Sequence, residues 1–423
     1  ISTGNKTKSG VVGMDADAKV SYETIAEKAK KKGWKVGIVS SVSLDHATPA
    51  AFYAHVPSRK QMYDISMQLV NSGFDYFAGG QMLEPKNKKD AAKPDAIETA
   101  KANGYTVTSD RAGFEALKKG NKAIAMNKLV DKDAAMYYTL DQADKEHIAL
   151  SEFVSKGIEL LDNPGGFFMM VEGGKIDWAC HANDAAASIH DTLAFDQSVA
   201  EAVKFYEKHP KDTLIIVTGD HETGGMTIGF AGTQYSSFVD KIKYQKMSYI
   251  EFGNKLDEYK KAHASDAKFE DVLPLIQDAF GLYVMNAEEK TALEKTVADG
   301  KSKDAPDDAK KAAKDAEKKL KYSMALTDME LRVLKDAFAQ SMSGEKEKSE
   351  NDQTYLLYGG YDPLSVKLTT ILNNKAGIGW TSYSHTGVPV QTSAIGVGAE
   401  TFNGYYDQTD IYRKMAKITG LAG

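Results

Sequence analysis

Short apolar runs and longer amphipathic stretches alternate along most of the chain. Six apolar runs, bounded by glycine, serine or charged residues, predict buried strands: residues 35–40, 75–78, 106–108, 123–126, 166–171 and 213–218. Four amphipathic stretches between them predict helices: residues 22–32, 59–71, 112–118 and 184–209. Strands that alternate with helices favour an α/β fold with a mostly parallel central sheet and helices on both faces. The run 213–218 is apolar throughout and predicts a central strand.

The pattern changes after residue 230, where the chain becomes richer in lysine, aspartate and alanine. Residues 287–321 alternate in charge and predict exposed helices that break at 300–306. Strand patterns return at 380–384, 385–390 and 395–398. We therefore expect one α/β domain formed by residues 1–230 and 380–423. Residues 231–379 would be a large helical insertion, either a cap or a dimer-contact element.

Composition narrows the class of protein. Of the 423 residues, 42% are apolar and 26% are charged, which is ordinary for a soluble globular protein. The net charge of -6 argues against a nucleic-acid-binding protein, and no uninterrupted apolar stretch approaches the length of a membrane span. Cys180 is the single cysteine, so an intramolecular disulfide is excluded. On a helix its side chain would point about 100° away from that of His181, which favours packing over metal binding.

The first candidate for chemistry is the segment 171–181, Val-Glu-Gly-Gly-Lys-Ile-Asp-Trp-Ala-Cys-His. A strand would end at Glu172, two glycines would turn the chain, and a helix would begin near Ile176. Asp177 and His181 are four residues apart, so they would project from one helix face. This arrangement suits a metal site. Taken alone, the segment fits equally well an ordinary strand–turn–helix with a surface aspartate and a half-buried histidine.

Polar residues also follow two other predicted strands. Thr48 follows the strand 35–40 and is expected to cap a helix that starts at Pro49. Asp220 and His221 directly follow the strand 213–218, although Asp-His after a strand also fits a simple turn. In open parallel sheets, ligands bind beyond the carboxyl ends of the strands, so the joint occurrence favours a binding site.

Two further side chains complete the candidate set. His385 adds a third imidazole, in a loop near a late strand. Arg59 is expected near the end of the helix that starts at Pro49; its guanidinium matches phosphate oxygens, although a surface arginine is the plainer interpretation. Aspartate and histidine suit zinc, whereas the oxygens of Glu172 and Thr48 suit magnesium. Two zinc ions can stabilise the attacking and leaving oxygens of a phosphoryl transfer.

With these motifs in order, the chain resembles the alkaline phosphatase family. The matching segments are 45–50 (Asp-His-Ala-Thr-Pro-Ala) leading to Arg59, 171–181, 219–225 and 385–387. The resemblance implies two zinc ions and one magnesium ion, with the following ligands. The first zinc would be held by Asp177, His181 and His385, the second in part by Asp220 and His221, and magnesium in part by Glu172 and Thr48. Arg59 would bind phosphate. His46 and Trp178 stand at neighbouring positions that vary within the family and that would affect magnesium retention or phosphate release.

The resemblance also implies an activity: hydrolysis of a broad range of phosphate monoesters through a phosphoserine intermediate, by a homodimer that is periplasmic or secreted. One departure bears on this. The stretch 3–7, Thr-Gly-Asn-Lys-Thr, matches the family segment that follows the nucleophilic serine. The serine and an aspartate that bridges two metals are therefore expected upstream of Ile1, because Ser2 falls past the nucleophile position. The alternatives are a catalytically silent metal-binding fragment or partner subunit, and a related diesterase or sulfatase, which lacks this arginine spacing.

Overall fold

The computed structural model describes residues 1–142, 145–343 and 352–422. The chain forms two compact units. The first unit comprises Ile1–Asp177, His190–Glu222 and Val388–Gly423, and the second comprises Trp178–Ile189 and Thr223–Gly387. The predicted insertion, 231–379, falls in the second unit, and its residues 344–351 lie outside the described part of the chain.

The strands and helices of the described residues are as follows. The strands are β1 Lys35–Ser40, β2 Tyr76–Gly79, β3 Tyr105–Thr108, β4 Lys122–Met126, β5 Phe167–Glu172, β6 Leu214–Thr218, β7 Glu222–Thr223, β8 Thr227–Ile228, β9 Ile378–Gly379, β10 His385–Thr386 and β11 Thr392–Gly396. The helices are α1 Ile25–Lys31, α2 Ala47–Ala50, α3 Met62–Asn71, α4 Ala96–Ala102, α5 Arg111–Glu115, α6 Leu150–Leu161, α7 Gly174–His181, α8 Ala185–Lys208, α9 Tyr249–Ala262, α10 Phe269–Phe280, α11 Ala287–Gly300, α12 Asp307–Tyr322, α13 Asp328–Ser343, α14 Asp352–Tyr358, α15 Pro363–Ala376 and α16 Gln408–Thr419.

The first unit is built on a five-stranded parallel sheet with the order β3-β4-β2-β1-β5. The register pairs Ser40 at the end of β1 with both Gly79 and Glu172. Parallel strands end at the same edge, so the side chains that follow β1 and β5 share one edge of the sheet. The predicted fold class, α/β with a mostly parallel sheet, is confirmed.

Both faces of this sheet are covered, which explains why the middle of β1, residues 36–39, has no polar side chain. Val36 and Ile38 belong to one buried cluster, together with residues of α1, α3 and α4. Val39 belongs to a second cluster, with Phe114 of α5 and Phe153 of α6. Successive side chains of a strand point to opposite faces, so a strand buried on both sides must be apolar at every position.

The strand β6 does not belong to the central parallel sheet, where it was expected. The apolar run that became β6 pairs antiparallel with β11 in a two-stranded sheet, so the prediction of a central strand is wrong. β6 is only half-buried, and β5, at the end of the five-stranded sheet, is half-buried along its whole length. An apolar composition therefore indicated strand structure correctly but did not indicate which neighbours the strand has.

The second unit is mostly helical. The charged stretch forms α11 and α12 with a break between them, as predicted, and both helices bury few side chains. Residues 380–384 form no strand, so that prediction is wrong, whereas β10 lies within the predicted stretch 385–390. β9 precedes both stretches and was not predicted. Throughout the described ranges, every helix is too short or too polar to cross a membrane.

Candidate functional site

Glu172 ends β5 and lies at the carboxyl edge of the five-stranded sheet. The Ser40 hydroxyl donates to Glu172 Oε2 at 2.5 Å, and the Thr48 hydroxyl also hydrogen-bonds to this carboxylate. The net pKa of Glu172 is raised to about 7: burial raises it most, the nearby carboxylates of Asp220 and Asp177 also raise it, and the hydrogen bonds from the two hydroxyls lower it. Two carboxylates that lie close enough to repel the Glu172 carboxylate favour a bound cation there.

The structure corrects the local setting of Thr48. The short helix α2 begins at Ala47, and its N-cap is His46, whose backbone is extended. Thr48 therefore lies inside the first turn and does not cap it. Pro49 fits there because the first turn of a helix leaves its N–H groups without helical partners. The Thr48 hydroxyl is not used as a helix cap, and it hydrogen-bonds to the Glu172 carboxylate.

Arg59 lies in a turn between α2 and α3, not near the end of a helix as expected. Its backbone N–H donates to the carbonyl of Gly10 at 2.7 Å, and its Nη2 donates to His46 Nε2 at 2.9 Å. Burial, together with the charge of Arg59, lowers the pKa of His46 to about 4. A neutral imidazole can accept from Arg59, so His46 orients the guanidinium while most of Arg59 stays exposed.

The guanidinium borders an open cleft in the first unit. This cleft has a volume of about 260 Å³ and is lined by Arg59, by Ala47 and Ala51 of the α2 region, and by much of the segment 1–14. A single exposed guanidinium at the wall of a cleft is well placed to receive an anionic group from solvent. The role of Arg59 in phosphate binding stays a prediction.

Asp177 and His221 come together within the first unit. Each offers a ligand atom, and these two atoms lie within 4.8 Å of one another. Asp220 and His221 follow β6 directly, with His221 Nε2 3.4 Å from Asp220 Oδ2. Asp220 is exposed, and the side-chain amide of Gln408 donates to its backbone carbonyl. Carboxylate oxygen and imidazole nitrogen at this spacing form a donor set that suits zinc.

Helix α7 starts at Gly174, two residues before the predicted start at Ile176. The early start places Lys175 in the first turn, where its side chain is 1% exposed and its Nζ lies 2.6 Å from Asp131 Oδ2. The Lys175 backbone N–H also donates to the Ser41 hydroxyl at 3.2 Å. The turn that leads from Glu172 to Asp177 is therefore anchored by a buried ion pair.

The second unit contains the other two candidate histidines. His181, the last residue of α7, has its Nδ1 2.6 Å from the backbone carbonyl of Tyr383. The rings of His181 and His385 lie with their centroids 5.1 Å apart. His385 is exposed, and Trp178, on the same helix as His181, is half-buried. Two imidazoles at this separation, one of them fixed by a hydrogen bond, are a plausible pair of zinc ligands.

Sequence reasoning missed two contributors to the first-unit site. Ser40 ends β1 and holds Glu172, and its position after an apolar run could have indicated it, as it did for Thr48. The partnership of Lys175 with Asp131 had no local signal, because 44 residues separate the two along the chain.

Comparison with known proteins adds independent information. The family model described as alkaline phosphatase matches residues 1–421. Alkaline phosphatase 3 of Bacillus subtilis (strain 168) is 29% identical over 424 residues, which cover 99% of this chain and 74% of that protein. A cold-active alkaline phosphatase from a Shewanella species shares the fold with a TM-score of 0.71 and 25% identity, covering 98% of this chain and 83% of that one. A TAB5 alkaline phosphatase variant with magnesium bound in its M3 site has a TM-score of 0.57 at 22% identity, covering 99% and 81%.

Proposed function

The chain belongs to the alkaline phosphatase family and is a phosphomonoester hydrolase, and we propose that it works with two zinc ions and one magnesium ion. In this proposal, Asp177, His181 and His385 are ligands of the first zinc. Asp220 and His221 are ligands of the second zinc. Thr48 and Glu172 bind magnesium. The observation that carries the proposal is the convergence of carboxylates at the edge of the parallel sheet.

The chemistry of the residues fits this set of metals. Glu172 has a raised pKa because its carboxylate is withdrawn from solvent and lies near Asp177 and Asp220, and a bound cation would counteract that effect. Oxygen donors from Glu172 and Thr48 match magnesium, and the mixed nitrogen and oxygen donors of Asp177 and His221 match zinc. When bound, such cations stabilise the charge on the attacking and leaving oxygens of a phosphoryl transfer.

The protein groups have separate roles in the proposal. The Arg59 guanidinium donates two parallel hydrogen bonds to the non-bridging oxygens of the phosphate group. His46, as a neutral acceptor, fixes the position of this guanidinium through the hydrogen bond from Nη2. Ser40 and Thr48 orient the Glu172 carboxylate through their hydroxyls. A serine attacks phosphorus and forms a phosphoserine, and the alcohol of the substrate leaves; water then releases phosphate from the serine.

The substrates proposed are small phosphate monoesters of many kinds, because the Arg59 cleft is open and would contact mainly the phosphate group. We also propose a homodimer located in the periplasm or secreted, on the strength of the family alone. A mass in solution of twice the monomer, by light scattering, would support the dimer. Cell fractionation followed by an activity stain tests the location.

Turnover of p-nitrophenyl phosphate at alkaline pH, before and after chelation, tests the proposal. The preparation should have its N-terminus determined, so that the presence of the nucleophilic serine is known. We expect activity that is lost with chelator and recovers only when zinc and magnesium are returned together. Turnover that resists exhaustive chelation would refute the metal assignment. Absence of turnover by protein that carries the serine and all its metals would favour the silent metal-binding alternative.

Substrate class is tested in the same assay. Bis-p-nitrophenyl phosphate and p-nitrophenyl sulfate differ from the monoester in charge and in the number of oxygens that an arginine can bind. We expect the monoester to be hydrolysed with the highest kcat/KM of the three. A higher value for the diester or the sulfate would point to the related diesterase or sulfatase activities.

A further inference from the structure

A hydrogen bond to a backbone carbonyl fixes the tautomer of the His181 ring. Its Nδ1 lies 2.6 Å from the Tyr383 carbonyl oxygen, and a carbonyl oxygen can only accept a hydrogen bond. Nδ1 must therefore carry the proton, and in the neutral ring Nε2 keeps its lone pair. This is the tautomer that can bind a metal through Nε2.

The side chain of Tyr383 is seated on the short helix α14 of the same unit. The Tyr383 hydroxyl donates to the Leu357 carbonyl at 3.0 Å, and its ring meets that of Tyr355 edge to face, with centroids 6.2 Å apart. Gly359, just after α14, has a φ of +63°, and a Cβ there would lie 2.3 Å from Cγ of Tyr383. The ring thus fills the space beside α14, and a larger residue at Gly359 would displace it.

The same helix also contacts the residue before His385. The Tyr355 hydroxyl shares a hydrogen bond of 3.2 Å with the Ser384 hydroxyl. Residues 383 and 384 are therefore both attached to α14, immediately before the second histidine of the pair. The two imidazoles of that pair, His181 and His385, lie with ring centroids 5.1 Å apart.

We propose that Tyr383 is a positioning residue through which α14 sets the orientation and tautomer of His181 and the position of His385. The inference rests on the proposed function, in which both histidines bind zinc, and assigns a role to part of the helical insertion. Groups that hydrogen-bond to a metal-binding histidine fix its ring and raise its affinity for the metal. In this protein the acceptor is a backbone carbonyl, so its position depends on how the Tyr383 side chain is seated.

The first test measures zinc affinity of the metal-depleted protein by competition with a chromophoric chelator. Tyr383→Leu removes both the ring contact and the hydroxyl, and we expect zinc to bind about 10- to 100-fold more weakly at one site. Tyr383→Phe removes only the hydrogen bond to Leu357 and should show a smaller loss. Tyr235→Phe, at a fully exposed tyrosine of the same unit, is the matched control and should bind as the parent protein does.

A glycine pair separates the seating of the ring from general backbone strain. Gly359→Ala should displace the Tyr383 ring and weaken zinc binding without changing Tyr383 itself. Gly73→Ala introduces a Cβ at a similar φ, +72°, where no atom lies within 4 Å of it. If both substitutions weaken zinc binding equally, strain is responsible and the proposal fails.

The second test needs no metal. Long-range ¹H–¹⁵N correlation spectra of histidine-labelled, metal-free protein report which ring nitrogen of His181 is protonated. We expect the Nδ1–H form in the parent protein and in Tyr235→Phe, and a mixture of tautomers in Tyr383→Leu. An unchanged tautomer together with unchanged zinc affinity would overturn the inference. If the parent protein binds no zinc, the proposed function fails, while the tautomer measurement still decides the role of Tyr383.

Discussion

The buried ion pair between Lys175 and Asp131 gives the sharpest stability prediction. Their side chains are 1% and 4% exposed, and Nζ lies 2.6 Å from Oδ2. Nζ also lies 4.0 Å from the centroid of the Tyr138 ring. The other oxygen of Asp131 accepts from the backbone N–H groups of Asp133 and Ala135. Lys175→Met keeps the length and apolar character of the side chain but leaves the Asp131 carboxylate buried without its cation.

The expected magnitude follows from the cost of an uncompensated buried charge. Removing one partner of a buried ion pair typically costs about 3–5 kcal/mol, more than the loss of the attraction alone. Adding Asp131→Asn to Lys175→Met gives a double variant. This second substitution removes the buried negative charge but retains an oxygen that accepts from the two backbone N–H groups. The double variant should therefore recover most of the loss and lie within about 2 kcal/mol of the parent protein, since neutral replacements of buried pairs are often tolerated.

Urea unfolding measures these differences. The chain has three tryptophans, so replacing Trp178 and Trp380 with phenylalanine leaves Trp34 as a fluorescence reporter of the first unit. Lys119→Met is the matched control, because Lys119 forms an exposed pair with Asp162 at 3.3 Å, and such pairs contribute less than about 1 kcal/mol. The reasoning is refuted if Lys175→Met costs no more than Lys119→Met, or if the double variant is no more stable than Lys175→Met alone.

Three further predictions concern the site and its support. Arg59→Lys loses two-point phosphate binding worth about 1.5–3 kcal/mol, so kcat/KM for p-nitrophenyl phosphate should fall about 10- to 100-fold, whereas Arg332→Lys on exposed α13 should leave it unchanged. Chelation should lower the melting temperature, because each site at 100 times its zinc Kd contributes about 2.7 kcal/mol; an unchanged melting temperature would exclude tight metal binding. The hydrogen bond with Glu27 raises the pKa of His55 above 6.5, so the stabilisation by this pair is present in full below pH 6.5 and is lost as pH rises through the raised pKa. His55→Gln should consequently destabilise the protein more at pH 6 than at pH 9 in urea unfolding, and exposed His190→Gln should show no such difference.

The sequence correctly predicted the helices and strands whose bounds are set by residues within or next to them. The run 35–40 forms β1 with the predicted bounds because residues 36–40 are all apolar or small and Gly33 ends the preceding helix. The break between α11 and α12 was predicted from Gly300 and Pro306. The predicted cap at Thr48 was wrong because proline fits any position of a first turn, so Pro49 does not locate the helix start.

The candidate site divides in the same way. The placement of Glu172 at the end of a strand followed from the sequence alone, as did Asp177 on the next helix. The hydrogen bond from Ser40 to Glu172 and the seating of Tyr383 on α14 did not, because each joins segments that are distant in sequence. Contacts between distant segments depend on how helices and strands pack together, and the hydrophobic periodicity of one sequence does not predict that packing.

The strands β5 and β6 have a practical consequence for handling this polypeptide. Each is an apolar strand, Phe-Phe-Met-Met-Val-Glu and Leu-Ile-Ile-Val-Thr, and each has a hydrogen-bonded neighbour on one side only within the described residues. An unpaired strand edge of this composition can accept a further strand, whether from another part of the same polypeptide, from a peptide or from another molecule of the same protein. Refolding yield should therefore fall steeply as protein concentration rises. A soluble peptide designed to pair with the unpaired edge of β5 could reduce aggregation during refolding. If that peptide carries a label, its binding to β5 would attach the label to the protein.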